Sequence, residues 1–454
     1  MTEKLFGTDG IRGLANHYPL TANMGAQIGQ AVGRFFKKQS DGGGILIGRD
    51  TRLSGTMIES ALAAGICSVG MDAHIAGIVP TPAIACLTRS HALAGGVVIS
   101  ASHNPWMDNG IKLFQADGFK LSSASEKEIE RYIAEGQAKM DSRAPRHTGQ
   151  VRPFDCAADK YVRFLCRCRP ENLSLSGRVI AIDCANGAAF QVAPRLFNRL
   201  EAVTHVLADA PDGVNINVNC GSQHPERLSQ TVLKSGADIG LALDGDADRL
   251  IAVDETGRAI TGDQIMMICA AYMLATGRMQ SDQPVVTTVM SNLGLKQALA
   301  GMGLENLRTA VGDRNVMQAM VKQSAVLGGE DSGHILFLDQ HTSGDGLLTA
   351  LNLLAAMQHS QKSLSELAAA MPVYPQVLIN IAVDEKPPLD SISPIQEATD
   401  DVLKKLGDQG RVLVRYSGTQ NLCRVMVEGP DEALTTTYGK QIADAVRCRI
   451  GARE

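Results

Sequence analysis

The chain has 454 residues, 44% of them hydrophobic and 20% charged, with a formal net charge of −5. That length spans three or four domains of about 100–150 residues each. The mild negative charge, with no Lys/Arg block, gives no reason to expect nucleic-acid binding.

The ten cysteines form no Cys-x-x-Cys pair, so they read as reduced, mostly buried thiols and not as zinc ligands or disulfides. The first residues lack the apolar core of a signal peptide. The most apolar helical run, 265–275, falls short of the ~20 residues a membrane span needs. A cytoplasmic protein with no membrane partner is expected.

The first unit covers 1–153. Phe6-Gly-Thr-Asp-Gly-Ile-Arg-Gly13 reads as a glycine-rich loop with Thr8, Asp9 and Arg12 as its polar teeth, either a structural turn or an anion-contacting loop. A helix is predicted over 23–38, then a strand over 45–47 ending in Gly48-Arg-Asp-Thr-Arg52, with Ser54 as the cap of the next helix. Strands follow at 73–76 and 97–99. The second runs into Ser100-Ala-Ser-His-Asn-Pro105, and a further strand is predicted over 111–114. Ser102 therefore stands at a strand end beside His103 and Asn104, with Pro105 stiffening the exit. Such a loop either raises a hydroxyl nucleophile out of the backbone or merely turns the chain. A surface helix over 125–139 and a linker over 150–153 complete the unit.

The second unit, 154–255, has a helix over 157–166, strands over 179–183, 203–207 and 239–243, and a polar loop over 211–217. After the last of these strands comes Asp244-Gly-Asp-Ala-Asp-Arg249, then a strand over 250–253. The third unit, 256–371, has helices over 263–275 and 295–301 and a strand over 284–289. Next come the polar run 308–315, a strand over 326–328, Gly329-Glu-Asp-Ser-Gly-His334 and an apolar helix from Gly346. The remainder, 372–454, has strands over 376–383, 411–415 and 422–428 and helices over 395–406 and 431–447. It reads as a smaller C-terminal α+β domain behind three similar α/β domains.

Three loops carry distinct chemistry. Asp244, Asp246 and Asp248 alternate with small residues, so their oxygens can turn toward one point. A hard divalent cation wants such ligands and would offset their mutual repulsion; the alternative is a solvated acidic turn. Arg249 then faces the same centre. Arg415-Tyr-Ser-Gly-Thr-Gln-Asn-Leu-Cys-Arg424 combines two guanidiniums with hydroxyls and a flexible glycine, which suits a phosphate monoester; the alternative is a polar hairpin turn. Glu330 and Ser332 suit a polyol, and His334 is either structural or catalytic. A nucleophile, a metal cage, a polyol clamp and a phosphate cup on successive domains describe phosphoryl transfer on a sugar phosphate.

In motif order and over essentially its whole length, the sequence resembles the α-D-phosphohexomutase superfamily. Phe6-Gly-Thr-Asp-Gly-Ile-Arg-Gly13, Asp183-Cys-Ala-Asn-Gly187 and Val311-Gly-Asp-Arg314 are most similar to its bacterial phosphoglucosamine mutase branch. The resemblance implies four domains around a central cleft, the first three sharing an α/β topology with mixed sheets. It implies a phosphoserine at Ser102 and one Mg²⁺ per chain held by Asp244, Asp246, Asp248 and the Ser102 phosphate. It makes Lys112 and His334 candidate general acids and bases, and puts Arg12, His103 and Arg249 on the transferring phosphoryl group. Glu330 and Ser332 would read sugar hydroxyls, while Arg415, Ser417, Gly418, Thr419 and Arg424 would hold the second phosphate. A homodimer is also implied.

The expected reaction interconverts glucosamine 6-phosphate and glucosamine 1-phosphate through a hexosamine 1,6-bisphosphate. The alternatives are a phosphomannomutase/phosphoglucomutase acting on neutral hexose phosphates, a Mg²⁺-dependent sugar phosphatase and a non-catalytic sugar-phosphate binder. Three positions depart from the family pattern. Ala247 stands where glycine is usual, which matters if φ is positive there. Asp331 stands where this branch usually has glutamine, which bears on the sugar. Gln420 and Asn421 replace the common Glu-Pro beside the phosphate cup.

Overall fold

The structure is a computed structural model and describes residues 4–7, 9–40, 42–136, 148–417 and 421–452. Four sheets organise the chain. The first contains β1 (Ile11–Leu14), β2 (Ile45–Arg49), β3 (Ala73–Ile78), β4 (Gly95–Ile99), β5 (Asp108–Gln115) and β6 (Val151–Pro153), in the order β1-β5-β4-β2-β3-β6. β2, β3, β4 and β6 pair in parallel, whereas β5 is antiparallel to both β4 and β1. β4 is buried along its whole length, as a central strand covered on both faces must be. Helices Ala22–Gln39 and Gly55–Ser68 cover one face, with Ile28, Val32, Phe35, Leu62 and Ile66 packed on Ile45, Ile47, Val97 and Ile99. These two helices meet backbone to backbone: a Cβ at Gly29 would lie 2.3 Å from the Leu62 oxygen, and one at Gly65 2.1 Å from that of Ala26.

The second sheet holds β7 (Val179–Asp183), β8 (Val203–Leu207), β9 (Ile239–Leu243), β10 (Leu250–Asp254) and β11 (Ala259–Ile260), ordered β11-β10-β9-β7-β8. The third holds β12 (Val285–Thr288), β13 (Asn306–Thr309), β14 (Leu327–Gly329) and β15 (Ile335–Phe337), ordered β13-β12-β14-β15. One device recurs in all three sheets. A strand that pairs in parallel on one side (β4, β9, β14) turns into an antiparallel hairpin on the other (β5, β10, β15). Each hairpin loop is one of the chemically loaded stretches.

These sheets lie in one compact unit, Met1–Met290 with Leu304–Ala369. Within it, Asp345 caps helix Gly346–Ser360 by accepting from the N–H groups of Leu347 and Leu348 at 3.0 and 2.9 Å. The Tyr161 hydroxyl donates to the same carboxylate at 2.6 Å, and burial pushes Asp345 up to about 6. The His341 Nδ1 accepts from Thr342 N at 2.8 Å, so its Nε2 carries the proton that meets the Pro82 carbonyl at 3.0 Å. Burial pushes His341 down to about 4.

The other unit comprises Ser291–Gly303 and Ala370–Glu454. Its antiparallel sheet runs β16 (Gln376–Ala382), β18 (Leu422–Glu428), β17 (Arg411–Tyr416). Helices Ser393–Leu406 and Glu432–Ile450 bury Val402, Ile442 and Val446 against Val425 and Val427. Helix Leu293–Gly301 is anchored here because the Leu293 N–H donates to Glu428 at 2.9 Å.

Several expectations need correction. The Phe6–Gly13 stretch is not all loop, since Arg12 lies on β1 opposite Gly110. Residues 151–153 are no linker but the parallel edge strand β6 beside β3. The polar run 308–315 ends one strand, β13, and opens helix Asp313–Gln323. Ala259 and Ile260 pair with β10, so the second sheet extends beyond residue 255. Ser54 makes no side-chain cap; its hydroxyl accepts from the Asn109 amide at 2.8 Å. All ten cysteines are free, and Cys86, Cys184, Cys220, Cys269 and Cys423 are buried, which is half of them and not most. Among the described residues no helix is long and apolar enough to cross a membrane.

Candidate active site

Ser102 occupies the β4–β5 loop with φ +53°, a left-handed conformation that costs a non-glycine residue about 1–2 kcal/mol. The surroundings hold it there. Its N–H donates to the Ser100 hydroxyl at 2.9 Å, which in turn donates to Asp50 at 2.6 Å. Its carbonyl accepts from Arg52 Nη2 at 2.8 Å and Asn217 Nδ2 at 2.9 Å. Arg52 also donates to the carbonyls of Asn104 and Asp108 at 2.9 and 3.0 Å, and pairs with Asp50 at 2.8 Å with both side chains fully buried. The Ser102 loop is thus braced by a buried ion pair and, from the second sheet, by an amide.

The serine's Oγ donates to Asp244 Oδ2 at 2.5 Å and lies 3.4 Å from His103 Nδ1. Asp244, Asp246 and Asp248 are buried, and one ligand oxygen from each lies within 4.8 Å of the others. Gly245 is needed for this approach, because a Cβ there would sit 2.5 Å from the Ser102 carbonyl. Ala247 has φ +57°, so the condition under which alanine at this position matters is met.

Charges are dense around the triad. Lys112 Nζ reaches Asp246 at 2.8 Å and Asp248 at 3.3 Å, and Thr81 Oγ donates to Asp246 at 2.6 Å. Arg249 N–H donates to Asp244 at 3.2 Å. Burial, reinforced by Asp248 and Asp246, pushes Asp244 well above the usual carboxylate range. Burial acts upward on Asp248 too, but Lys112 and His334 outweigh it and hold that carboxyl well below the range. Burial, Arg249 and Arg12 lower His103 to about 4, which leaves it a neutral imidazole at pH 7.

The triad has the composition of a hard-cation site. Its donors are all oxygens, and the buried Oδ1 of Asp246 has no hydrogen-bond partner among the described residues. A divalent ion would use that oxygen and balance the clustered carboxylates.

In the β14–β15 loop, His334 Nδ1 lies 3.6 Å from Asp248. Burial lowers its pKa, but Asp248 and Asp313 raise it further, for a net rise. Glu330 Oε1 accepts from Gly312 N–H at 3.0 Å. Ser332 is exposed in the same loop. The Asp331 carboxylate accepts from Asp263 N–H at 3.2 Å, at the start of helix Gly262–Ala275, where the helix dipole favours an anion.

In the other unit, Arg415 and Arg424 are direct cross-strand partners on β17 and β18. Burial and the neighbouring Arg424 both lower the pKa of Arg415. Like charges placed opposite each other are unfavourable unless an anion joins them. Ser417 is buried, and its carbonyl accepts from Lys386 at 3.0 Å. Gly418, Thr419 and Gln420 lie outside the described residues.

The structure therefore brings Ser102, His103, Lys112, the three aspartates, Arg249 and His334 together, with Arg12 close enough to interact with Asp246 and Asp248. Sequence reasoning gave no role to Asp50, Arg52, Thr81 or Asn217. The available signal was a charged run, Gly48-Arg-Asp-Thr-Arg52, directly after a strand that had to be buried.

Four segments match known domain families. Residues 3–140, 159–257 and 261–374 match "Phosphoglucomutase/phosphomannomutase, alpha/beta/alpha domain" I, II and III, and 378–445 match the C-terminal domain of the same family. The chain is 51% identical over 450 residues to the phosphoglucosamine mutase of Syntrophus aciditrophicus, covering 99% of this chain and 100% of that protein. It is 52% identical over 449 residues to that of Syntrophobacter fumaroxidans, covering 98% and 99%. A phosphoglucomutase/phosphomannomutase family protein from Burkholderia thailandensis superposes with a TM-score of 0.81 at 25% identity, over 99% of this chain and 98% of that one. With four matched domains in this order and relatives about half identical over its whole length, the chain belongs to the phosphoglucosamine mutase family of the α-D-phosphohexomutase superfamily.

Proposed function

We propose that the protein interconverts glucosamine 6-phosphate and glucosamine 1-phosphate, with Ser102 as the phosphoryl carrier. The observation that carries this reading is the buried Ser102 hydroxyl, 2.5 Å from Asp244 at the mouth of the aspartate triad. A phosphoryl group on Ser102 Oγ passes to the free sugar hydroxyl. The P–Oγ bond breaks and a P–O1 bond forms, with Lys112 or His334 donating a proton to the departing Oγ and taking up the O1 proton in its place. The resulting 1,6-bisphosphate turns end for end, and its 6-phosphoryl group returns to Oγ while a proton is delivered to O6. The two half-reactions balance, so no phosphate is released.

Asp244, Asp246 and Asp248 would hold Mg²⁺, which supplies charge neutralisation for the phosphoryl oxygens. Arg12 and Arg249 orient those oxygens electrostatically, and neutral His103 offers a hydrogen bond. Glu330 and Ser332 read sugar hydroxyls. Arg415, Ser417 and Arg424, with Gly418 and Thr419, bind the second phosphate as a bidentate cup. The Asp331 substitution is compatible with an amino sugar, because its carboxylate is engaged at a helix start. We also propose a cytoplasmic location and a homodimer.

The test is a coupled assay with Mg²⁺ and each matching 1,6-bisphosphate on glucosamine 6-phosphate, glucose 1-phosphate and mannose 1-phosphate. Strong preference for the amino sugar is expected. Comparable turnover of neutral hexoses would make the protein a phosphomannomutase/phosphoglucomutase, and stoichiometric phosphate release would make it a phosphatase.

A further inference from the structure

Lys112 and His334 belong to a closed ring in which carboxylates alternate with nitrogen groups. From Asp248 Oδ2 it runs 3.3 Å to Lys112 Nζ, and from there 3.3 Å to Asp9 Oδ2. Asp9 Oδ1 is 2.6 Å from Lys120, which also pairs with Asp313 Oδ2. Asp313 is 4.0 Å from His334 Nε2, and His334 Nδ1 is 3.6 Å from Asp248 Oδ1. The six groups come from all three sheets of the unit. Asp9 precedes β1, Lys112 lies on β5, and Lys120 bridges back to Phe114 just after it. Asp248 sits in the β9–β10 loop, Asp313 opens its helix, and His334 precedes β15.

We propose that Lys120 is a positioning residue for the phosphoryl transfer, fixing Lys112 and His334 through Asp9 and Asp313. It rests on the reading that these two groups move the protons. Each carboxylate in the ring is shared between at least two nitrogen groups, so none can follow one partner without releasing another. Removing the Lys120 ammonium leaves Asp9 to Arg12, 2.5 Å away, and to Lys112, drawing that side chain from Asp246. Asp313 is freed to pull His334 away from Asp248. Both acid–base groups then leave their places, although among the described residues Lys120 makes its ion pairs with Asp9 and Asp313 and not with Ser102 or the aspartate triad. The Gly312-Asp-Arg314 segment is built for this task. Its glycine donates to Glu330 at 3.0 Å, and its arginine donates to Glu126 at 2.8 Å, fixing where Asp313 sits.

The experiment is steady-state kinetics of Lys120→Met, Lys120→Arg, His334→Gln and the double variant Lys120→Met/His334→Gln, with melting temperatures alongside. Lys120→Met should lower kcat by roughly 30-fold with KM moving less than about threefold, as expected for lost positioning and not lost binding. Lys120→Arg, which can still bridge two carboxylates, should restore most of that loss. In the His334→Gln background, Lys120→Met should cost only about a few-fold more, because residues acting through one another are non-additive. Should Lys120→Met melt far below the parent, Asp313→Asn, of unchanged shape, must reproduce the kcat loss. Full additivity, or an effect confined to KM, overturns the positioning role. Wild-type kcat in His334→Gln and in Lys112→Met would instead remove the acid–base reading, and the proposal with it.

Discussion

Arg52 donates through Nη2 to the carbonyl oxygen of Ser102 at 2.8 Å, so the residue that fixes this serine's backbone is itself fully buried and tied to Asp50. Burial outweighs Arg52 and leaves Asp50 with a raised pKa. Arg52→Met would strand that carboxyl and unbrace a strained loop. We expect a loss of about 3–5 kcal/mol, the usual cost of breaking a buried pair, with partial recovery in Arg52→Met/Asp50→Asn. Denaturant midpoints of the three chains decide it, and an unchanged midpoint in Arg52→Met would show that the pair carries no stability.

Ser102→Ala should abolish turnover, with kcat down by at least about 1,000-fold, within the range such transfers owe to covalent and electrostatic catalysis. The same variant should take up no label from a ³²P-labelled sugar bisphosphate. Asp244→Asn should retain the fold but weaken Mg²⁺ binding by calorimetry. Chelation of the parent should stop turnover, and added Mg²⁺ should restore it.

Ala247 lies at φ +57°, where glycine avoids about 1 kcal/mol of strain. Ala→Gly ordinarily loses about 0.4–1 kcal/mol through unfolded-chain entropy. The two nearly cancel, so Ala247→Gly should leave the melting temperature within about 2 °C of the parent or raise it slightly. A fall corresponding to the full entropic loss would mean the alanine is unstrained.

Asp345 has a folded pKa of about 6 against 3.8 for a free carboxyl. A raised carboxylate pKa means the folded state binds the extra proton, so stability contributed by this group falls as pH rises from about 4 to 6. Asp345→Asn keeps the helix cap and the acceptor for Tyr161. Its advantage over the parent should grow across that window to about 3 kcal/mol and stay level above it. His341 acts in the opposite sense: its depressed pKa of about 4 removes stability as pH falls from 6.5 toward 4. Denaturant midpoints at pH 4.5, 5.5 and 7.5 separate the two, and a flat difference for Asp345→Asn would exclude its titration.

Arg415→Gln should raise KM for the sugar phosphate about tenfold or more through loss of a charged contact. The ligand-free melting temperature should hold or rise, because the variant removes a like charge opposite Arg424. A lowered melting temperature with unchanged KM would make Arg415 a structural residue.

Much of this was legible in the sequence because the chemistry is concentrated in loops that follow apolar strands. Ile239–Leu243 and Val179–Asp183 were predicted to the residue, and the loop after the first of these delivers all three aspartates to one point. β1 and β6 were missed for a physical reason. Four- and three-residue edge strands carry too little periodicity to stand out, and Pro153 is tolerated only because β6 is an edge. Asn217 and Lys120 escaped because their partners are backbone carbonyls or carboxylates distant in sequence. Nothing local marks the part such a side chain plays.

Ser102 and Asp244 are 142 positions apart. At about 5–20 residues per second of synthesis, a ribosome exposes the serine roughly 7–30 s before its aspartate partner exists. During that interval the hydroxyl has no acidic cluster beside it, and the nascent chain cannot carry out premature transfer on its own. Competence cannot arrive before the second domain closes its hairpin, so under the proposed function the order of translation keeps the serine inert until its aspartates exist.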